Sequence, residues 1–384
     1  MKAIELHLIQ SVPPSNLNRD DTGSPKEGVY GGVRRARLSS QCLKRAARDY
    51  FRDENLLEGH ELAVRSTDIG VQLGERLEAK GRGGGEARTT VAQALAGLEL
   101  ALAEGQAQYL LFLGERELEG LVEVIDTHWD ELAALRGEKK DGGEAATAKE
   151  RKKAAKKGLP GEFVKELLTV MDGGKAADLA LFGRMLADLP GRNVDAACSV
   201  AHALSTHAVA REFDFFTAVD DLHRGEPGGA RMLGTGEFNA ATYYRYALID
   251  TGQLSENLQG DAALVARTIK AFLLASVYAL PGGKQKSFAA HTLPGFIGVT
   301  VREAGAPRSL IGAFEQPVRS REGLEAASVA ALESYQERLD TLYGESNRTY
   351  CVSLHDLRYL KASKDLQTLM TEVMGALEEK LVRA

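Results

Sequence analysis

GGVRRARLSSQCLKRAARDYF, from Gly31 to Phe51, joins the pattern of a strand to the pattern of a helix. Residues 33–38 alternate between two faces with a period of two, which predicts a β-strand. Ser39 and Ser40 follow, and serine is a favourable residue at the start of a helix. The apolar residues that come next recur at intervals of four and three, which predicts one face of a helix; they are Leu43, Ala47 and Tyr50.

The polar face of this predicted helix is cationic. Gln41, Lys44 and Arg48 lie three and four residues apart and therefore share a face, while Arg45 and Arg52 lie beside it. The N-terminus of a helix adds unpaired backbone N–H groups and a partial positive charge. A phosphate group placed there would meet both, so the segment is a candidate phosphate-binding site.

Positive charge is concentrated around this segment although the chain as a whole is acidic. The 384 residues include 48 Lys or Arg and 54 Asp or Glu, a formal charge of −6. Residues 19–52 contain nine basic and four acidic residues, 9 − 4 = +5, which leaves −11 for the rest of the chain. Two interpretations remain open: a solvated charged face, or a binding surface for phosphates.

Composition argues against several classes of protein. No stretch approaches about 18 uninterrupted apolar residues, so no transmembrane helix is predicted. Glu5, His7 and Gln10 interrupt the apolar start of the chain, which is atypical of a secretory signal peptide, and a cytoplasmic protein is expected. The three cysteines are widely spaced and form no CxxC. A disulfide framework or a zinc site is therefore not predicted, and no cofactor or metal is expected.

Strand and helix patterns alternate along the chain. AIELHLIQ at 3–10 predicts a half-buried strand, and the Pro, Gly, Asn and Asp of residues 11–32 predict a long loop. Most of residues 60–135 have helical periodicity, broken by the glycine linker GRGGGE, and VDAACSVAHALSTHAV at 194–209 also predicts a helix. Aromatic residues on both sides of RGEPGGAR at 224–231 predict a long hairpin.

The C-terminal part completes an α+β pattern. Residues 263–280 predict a helix, 295–303 and 349–357 predict strands, and 325–344 and the last twenty residues predict helices. A β-containing core is thus interrupted by a helical block at 60–200 and by a hairpin at 209–240. This order fits an α+β fold of the split β-α-β type.

Candidate catalytic groups are few. Two pairs of aspartates could together hold Mg²⁺ for a metal-dependent ribonuclease, which is the alternative function; they are Asp20, Asp21, Asp220 and Asp221. His202 and His207 lie five residues apart in a predicted helix, which is the wrong spacing for a zinc pair. No nucleophile motif occurs. We therefore expect no catalytic residue and a protein that is not an enzyme.

Two further segments carry local positive charge. Residues 136–159 contain nine basic and four acidic residues, 9 − 4 = +5, and few apolar ones. They fit either a mobile surface loop or an extra cationic strip that touches nucleic acid. PGGKQKSFAA at 281–290 places Lys284 and Lys286 beside two glycines. This segment suits either a glycine loop that grips phosphates or a helix end followed by a solvated turn.

Seven blocks of the sequence resemble, in the same order, the CasC (also called Cse4) family, the backbone subunit of the type I-E CRISPR Cascade complex. The blocks span residues 15–290; they are SNLNRDD, GGVRRARLSSQCLKRA, VDAACSVAHALSTH, FFTAVDDL, LGTGEF, YRYALID and PGGKQKSFAA. The resemblance implies an RRM-like (ferredoxin-like) palm with an inserted helical fingers domain and a β-hairpin thumb. On this chain the palm would comprise residues 1–59 and 241–384, the fingers 60–200 and the thumb 209–240.

The resemblance also implies a function and a set of partners. Members of the family stack head to tail along the CRISPR RNA as a helical filament, do not cleave it, and present it for pairing with target DNA in antiviral defence. The implied partners are CRISPR RNA, further copies of the chain, the target DNA strand and the other Cascade subunits. These are the large, small, 5′-handle-binding and RNA-processing endonuclease subunits. No membrane partner is implied.

The resemblance assigns RNA contacts to three regions. The palm helix contacts match the polar face described above, and a palm loop faces the RNA; the residues are Ser39, Gln41, Lys44, Arg48, Lys284, Gln285 and Lys286. Further cations would support the same groove; they are Arg19, Arg34, Arg35, Arg37 and Arg45. Apolar side chains would insert beside bases flipped out at regular intervals, and the candidates are Met185 and Leu233. Phe215 and Phe216 would occupy the family's aromatic position on the thumb. Without the resemblance, core packing is the ordinary role of such Met and Phe residues.

Besides the ribonuclease, a second alternative is a generic monomeric RNA chaperone. It would bind RNA without forming particles of fixed length.

Overall fold

The computed structural model describes residues 3–100, 102–103, 106–137, 159–223, 230–344 and 347–381. Most of the lysine-rich insert of the sequence, residues 138–158, lies outside the described part of the chain. The chain divides into two compact units. The sheet unit comprises Met1–Leu56, Cys198–Gly252 and Ala266–Ala384, and the helical unit comprises Leu57–Ala197 and Gln253–Val265.

The strands and helices of the described residues are numbered in chain order. The strands are β1 (Ala3–Ser15), β2 (Glu27–Tyr30), β3 (Val33–Leu38), β4 (Ala63–Ser66), β5 (Leu102–Ala103), β6 (Gln106–Ala107), β7 (Leu111–Gly114), β8 (Cys198–Val200), β9 (Ala203–Ser205), β10 (Glu212–Val219), β11 (Ala230–Asp250), β12 (Phe296–Arg302) and β13 (Arg348–Ser353). The helices are α1 (Ser40–Asp53), α2 (Ile69–Ala79), α3 (Gly84–Gly97), α4 (Glu115–Thr127), α5 (Trp129–Gly137), α6 (Gly161–Val170), α7 (Ala177–Phe182), α8 (Thr251–Asn257), α9 (Ala262–Tyr278), α10 (Gln285–Phe288), α11 (Leu324–Tyr343) and α12 (Leu366–Leu381).

The sheet unit is built on an antiparallel sheet whose path, across the described residues, is β13-β12-β1-β11-β9-β3-β2, with β8 and β10 also paired to β11. Its centre has the order β12-β1-β11-β8, and each neighbouring pair is antiparallel. Helix α1 lies between β1 and β8 in the sequence, and α9 lies between β11 and β12. This is the α+β, ferredoxin-like split β-α-β arrangement that the sequence predicted.

Helices cover one face of this sheet and an irregular segment with a long helix covers the other. Leu43 of α1 and Phe272 of α9 line one small apolar cavity with Leu6 and Leu8 of β1. On the opposite face, Ile9, Tyr244 and Phe296 pack against apolar side chains from the segment before α11 and from α11 itself; these are Leu310, Phe314, Val329 and Leu332. Because both faces are covered, β1 is buried on both sides.

The expectation that β1 is half-buried was therefore wrong. Its first eight residues are all buried, although Glu5 and His7 alternate with apolar residues. Glu5 pairs with the buried Arg302 at 2.5 Å, and His7 Nδ1 lies 2.9 Å from the Tyr244 hydroxyl. Burial, with the charge of Arg302, lowers the pKa of His7 to about 3, so the ring is neutral inside the sheet.

Residues 194–209 contain the two short strands β8 and β9 instead of the predicted helix. Cys198 to Val200 pair with Ile249 to Ala247 of β11, and β9 fills the space between β11 and β3. A helix here would leave the backbone groups of β11 along this stretch without partners. Tertiary pairing therefore overrides the helical periodicity of the segment.

The helical unit contains the predicted helices, but short strands interrupt them. Strands β4 and β7 pair antiparallel from Ala63↔Gly114 to Ser66↔Leu111, within a region where helices alone were predicted. GRGGGE is not only a linker, because α3 begins at Gly84. A buried ion pair between Glu117 and Arg184, 2.7 Å long, joins α4 to the segment after α7.

A two-stranded ribbon extends the sheet unit where the sequence predicted a hairpin. Strand β10 pairs with the first part of β11, from Glu212↔Phe238 to Val219↔Ala230. The residues of β10 from Glu212 to Ala218 are all exposed. Residues 224–229 of the predicted turn lie outside the described residues.

Candidate nucleic-acid interface

The start of α1 is held by side chains of neighbouring loops. Ser39 is the N-cap, and its hydroxyl accepts the Cys42 N–H at 3.3 Å. The Ser39 N–H donates to Asn18 Oδ1 at 2.8 Å, and the Ser40 N–H donates to His202 Nδ1 at 3.0 Å. The first N–H groups of α1 are thus partly occupied by the protein. Fewer N–H groups are therefore left for a phosphate than the bare start of a helix would offer.

His202 is an exposed donor that the sequence analysis assigned to a helix. It follows β8, and because Nδ1 accepts from Ser40, the neutral ring carries its proton on Nε2. Burial, together with the nearby charges of Arg37 and Lys26, lowers the pKa of His202. The side chain therefore offers a neutral N–H beside two cations. His207, by contrast, is buried, and its Nε2 accepts the Thr242 N–H at 3.1 Å.

The Arg19 loop and the Lys284 segment touch each other. A Cβ atom added to Gly283 would lie 2.3 Å from the Leu17 carbonyl oxygen, so only glycine permits this approach. A groove of about 490 Å³ is lined by Arg19 and Gly283 and also by the carboxylates Asp20 and Asp21. Lys284 and Lys286 are exposed beside it. The contact at Gly283 thus brings Arg19 near Lys284 and Lys286, which are distant from it in the sequence.

The Lys284 segment is a short helix instead of a loose glycine loop. Helix α10 is closed by Gln285, whose Oε1 accepts the Ala290 N–H at 2.8 Å. Phe288 packs against Phe238 at the base of the ribbon, with ring centroids 5.6 Å apart. A neighbouring groove of about 550 Å³ between α1 and residues 278–293 is lined by Arg45, Gln285 and Lys286 among others. We call the surface formed by Arg19, Lys26, Arg37, His202, Lys284 and Lys286 the cationic face.

Two of the predicted RNA-contacting arginines are part of the interior. Arg35 is 0% exposed, and its guanidinium donates to the carbonyls of Tyr30, Ser205 and Phe314. Arg48 is 8% exposed. Both were predicted to contact RNA, and the protein buries both, because alternation and helical spacing show which residues share a face but not which face the rest of the fold covers.

The remaining predicted cations have specific positions. Arg34 is exposed but pairs with Glu27 at 2.8 Å, and Arg45 pairs with Asp49 on α1 at 2.7 Å. Arg37 donates from Nε to the Glu27 carbonyl at 3.1 Å.

On α1, Gln41 is exposed, whereas Lys44 is half-buried and lines the cavity between the helix and the sheet. The predicted polar stripe therefore turns inward along the helix.

The ribbon presents apolar side chains to solvent. Phe213, Phe215 and Leu233 are 66%, 65% and 64% exposed. They share a face, because Leu233 pairs with Thr217 and residues two apart in a strand lie on one side. Phe216 lies on the other face, where its ring occupies the space above Gly234. We call the first set the apolar face of the ribbon; the sequence analysis missed Phe213, which the alternation in EFDFF could have shown.

Met185 lies in the helical unit and is 79% exposed. It follows Arg184, whose guanidinium is buried against Glu117. An exposed methionine next to a fixed arginine is not a core residue, so the packing alternative does not apply to Met185. Leu233 and Phe215 are likewise outside the core.

The aspartates named for a ribonuclease have structural partners. Asp20 Oδ1 accepts the Thr22 hydroxyl at 2.7 Å and the N–H groups of Thr22 and Ser24; these bonds, the hydroxyl first, lower the pKa of Asp20. Asp220 accepts the Leu222 N–H at 3.0 Å. Across the described residues, no group of three or more His, Cys, Asp or Glu side chains could hold a metal ion. The structure does not support the ribonuclease.

In the described part of the chain, no helix is long and apolar enough to span a bilayer.

Fold and site together define an α+β protein with a ferredoxin-like core, a cationic face built from loops, and a projecting ribbon with an apolar face. The chain belongs to the family of CT1975-like proteins, whose family model matches residues 4–379.

Solved structures similar to this chain cover nearly all of it. A chain of a "CRISPR RNA-guided surveillance complex, pre-nicking" is 31% identical, with a TM-score of 0.85 over 98% of this chain and 100% of that one. A chain of a "CRISPR RNA-guided surveillance complex" is 26% identical, with a TM-score of 0.74 over 97% of this chain and 99% of that one. No curated protein matches the chain.

Proposed function

We propose that this chain is a non-catalytic, RNA-binding subunit of a CRISPR RNA-guided surveillance complex, and that copies of it stack head to tail along the guide RNA. The observation that carries the proposal is the 31% identity to a chain of such a complex over 98% of this chain and 100% of that one. The cationic face and the apolar face of the ribbon supply two contacts that such a subunit needs.

The cationic face would hold the sugar–phosphate backbone without reading its sequence. Lys and Arg neutralise the phosphate of any nucleotide, whichever base it has. This suits a guide RNA whose sequence varies. The exposed Arg19, Lys284 and Lys286 are placed for this role, and the His202 Nε2–H adds a neutral donor. Sequence recognition is then left to base pairing between guide and target.

The apolar face of the ribbon would unstack bases at intervals. Inserting an apolar side chain between bases costs a few kcal/mol per step, and the phosphate contacts of the cationic face offset this cost. RNA held in short extended segments has less conformational freedom to lose when it pairs with target DNA. Met185 of the helical unit is a further candidate for contact with displaced bases.

The finer assignment is to the CasC backbone of a type I-E Cascade acting in the cytoplasm. A head-to-tail contact that does not close into a ring produces a helical filament. The partners of the filament would be CRISPR RNA, target DNA and the large, small, 5′-handle-binding and endonuclease subunits. This assignment is supported by the seven sequence blocks at 15–290.

The function is tested by reversing charge on the cationic face. RNA should no longer co-purify with the triple variant Arg19→Glu, Lys284→Glu and Lys286→Glu, and its affinity for RNA should fall, because three phosphate contacts are lost. The dependence of binding on salt concentration should also decrease. Measurements are the RNA content of the purified protein and the affinity for single-stranded RNA at several salt concentrations. Retained RNA at wild-type affinity would contradict the proposal.

The matched control is a second triple reversal with the same change in net charge. Arg338→Glu, Lys361→Glu and Lys364→Glu alter exposed residues on α11 and the segment before α12. This control should keep RNA. Charge reversal at the buried Arg48 would instead test folding, so it does not serve as a binding test.

A further inference from the structure

A network of charged side chains holds the base of the ribbon. Arg211 donates to both carboxylate oxygens of Glu27, from Nε to Oε1 at 2.8 Å and from Nη2 to Oε2 at 3.1 Å. Its Nη1 donates to Glu237 Oε2 at 3.1 Å, and Arg34 donates to Glu27 Oε2 at 2.8 Å. A bidentate guanidinium–carboxylate pair fixes the relative orientation of its partners, because two parallel bonds allow little rotation.

This network joins segments that are distant in the sequence. Glu27 begins β2, Arg211 directly precedes β10, and Glu237 lies on β11 opposite Phe213. The Glu27 side chain is only 8% exposed, so solvent screens its ion pairs less than those of a surface residue. Asn16 strengthens the same junction, since its Nδ2 donates to the Glu237 carbonyl at 2.9 Å.

The network and the apolar face lie on the same side of the ribbon. Glu237 pairs directly with Phe213, and directly opposed residues of an antiparallel pair point the same way. Residues of β10 from Glu212 to Ala218 are exposed, and a two-stranded ribbon has little stability of its own. The direction in which the apolar face points is therefore set at the base of the ribbon.

Glu27 also borders the cationic face. Its carbonyl accepts Arg37 Nε at 3.1 Å, and the preceding Lys26 carbonyl accepts the Arg37 N–H at 2.9 Å. Arg37 and Lys26 are the cations beside His202. Glu27 is thus a direct link between the cationic face and the ribbon.

We propose that Arg211, acting through Glu27, is a positioning residue that holds the apolar face of the ribbon at a fixed orientation to the cationic face. RNA bound through its phosphates would then have its bases unstacked at fixed positions. The inference deepens the proposed function and rests on it for its effect on RNA, but the orientation of the ribbon can be measured without RNA.

The first measurement is a distance distribution in the free protein. Spin labels are attached to two exposed positions, Thr235→Cys on the ribbon and Val29→Cys on β2. Cys42→Ser removes the partly exposed native thiol. Pulsed electron paramagnetic resonance then measures the distance between the two labels. A narrow distribution is expected with Arg211 present. Arg211→Gln, and Arg211→Lys, which keeps the charge but loses the fork, should broaden it. An equally narrow distribution in all three proteins would overturn the proposal.

The second measurement follows the bases of bound RNA. 2-Aminopurine placed at successive positions of a single-stranded RNA brightens where a base is unstacked. With the wild-type protein, the fluorescence should have maxima at fixed positions of the RNA. With Arg211→Gln or Glu27→Gln, the maxima should be lower and spread over neighbouring positions. The effect of the double variant should be smaller than the sum of the two single effects, because each single change already removes the Arg211–Glu27 pair. Affinity should change by less than about tenfold, because phosphate contacts remain.

Arg76→Gln is the structural control, because it breaks a 2.5 Å ion pair with Glu115 in the helical unit. It should leave both measurements unchanged even where thermal stability falls. Unchanged maxima in Arg211→Gln would overturn the inference. If the distance distribution broadens but the wild-type protein binds no RNA, the positioning role stands and the proposed function fails.

Discussion

Single glycines decide how closely the loops of the cationic face approach. Gly283 lies against the backbone of residues 16 and 17, with a Cβ position 2.3 Å from the Leu17 carbonyl oxygen. A Cβ atom added to the neighbouring Gly282 would have no atom within 4 Å. The two adjacent glycines therefore have different roles, one in packing and one in an open turn.

Gly283→Ala should lower the free energy of unfolding by about 1–3 kcal/mol, the usual cost of overpacking a tight contact. The reason is that the new methyl group forces the Lys284 segment away from the Arg19 loop. Urea denaturation measures the change. Gly282→Ala is the matched control and should change stability by less than about 1 kcal/mol. Equal effects of the two substitutions would contradict this account of the contact.

The sequence patterns predicted which polar residues share a face but not which of those faces is buried in the folded protein. Arg35 and Arg48 have the same residue type and local pattern as exposed cations, yet the first is enclosed by the carbonyls of Tyr30, Ser205 and Phe314. Arg19, Lys284 and Lys286, in contrast, are exposed. The difference arises because burial depends on segments far away in the sequence.

At the scale of elements, contacts between helices depend on a few polar side chains. His128, at the end of α4, lies between two carboxylates: Nδ1 is 3.1 Å from Glu131 and Nε2 is 3.1 Å from Glu166 of α6. Its ring also meets Phe163 edge-on, with centroids 5.3 Å apart. The hydrogen bond to Glu131, and then that to Glu166, raises the pKa of His128.

Removing His128 should therefore have a pH-dependent cost. A raised pKa in the folded protein means that the charged ring adds stability below the unfolded pKa of about 6.5, and that this stability is lost as pH rises through the folded pKa. His128→Gln should lower the melting temperature more at about pH 5.5 than at about pH 9. A fall in melting temperature that is equal at the two pH values, or larger at about pH 9, would contradict this interpretation. His60→Gln is the control for loss of an exposed imidazole.

Strand pairing shows why element types were not all predictable. The helical pattern of residues 194–209 was overridden because β11 spans Ala230–Asp250 and offers backbone partners to β8 and β9. Segments with no competing pairing, such as α1, α9 and α11, are helices as predicted. Local periodicity therefore succeeded where no neighbouring strand edge competed for the same backbone.

At the scale of the whole molecule, the proposed function requires many copies on one RNA. The chain belongs to the CT1975-like family, and it is similar over 98% of its length to a chain of a CRISPR RNA-guided surveillance complex. Repetition also explains how a chain with a formal charge of −6 could coat an anion: each copy needs only one local cationic face.

The mass of the assembled particle should therefore grow in steps as the RNA is lengthened. A head-to-tail contact that does not close adds one copy after another until the RNA is covered. Mass photometry on single-stranded RNAs of increasing length measures the steps. The triple reversal of Arg19, Lys284 and Lys286 should abolish them. One chain per RNA at every length would favour the monomeric RNA chaperone.

The sequence by itself determined the α+β class, the order of most strands and helices, the segregation of positive charge to residues 19–52 and the family resemblance. The first three follow from local periodicity and composition, which act through neighbouring residues, whereas the resemblance depends on the seven sequence blocks at 15–290. The tertiary structure alone decided which cations are accessible, that residues 198–200 and 203–205 are strands, and that Phe213, Phe215 and Leu233 share one face of a ribbon held by Arg211 and Glu27. Burial, strand pairing and ion-pair partners depend on contacts between distant segments, and no local pattern encodes them.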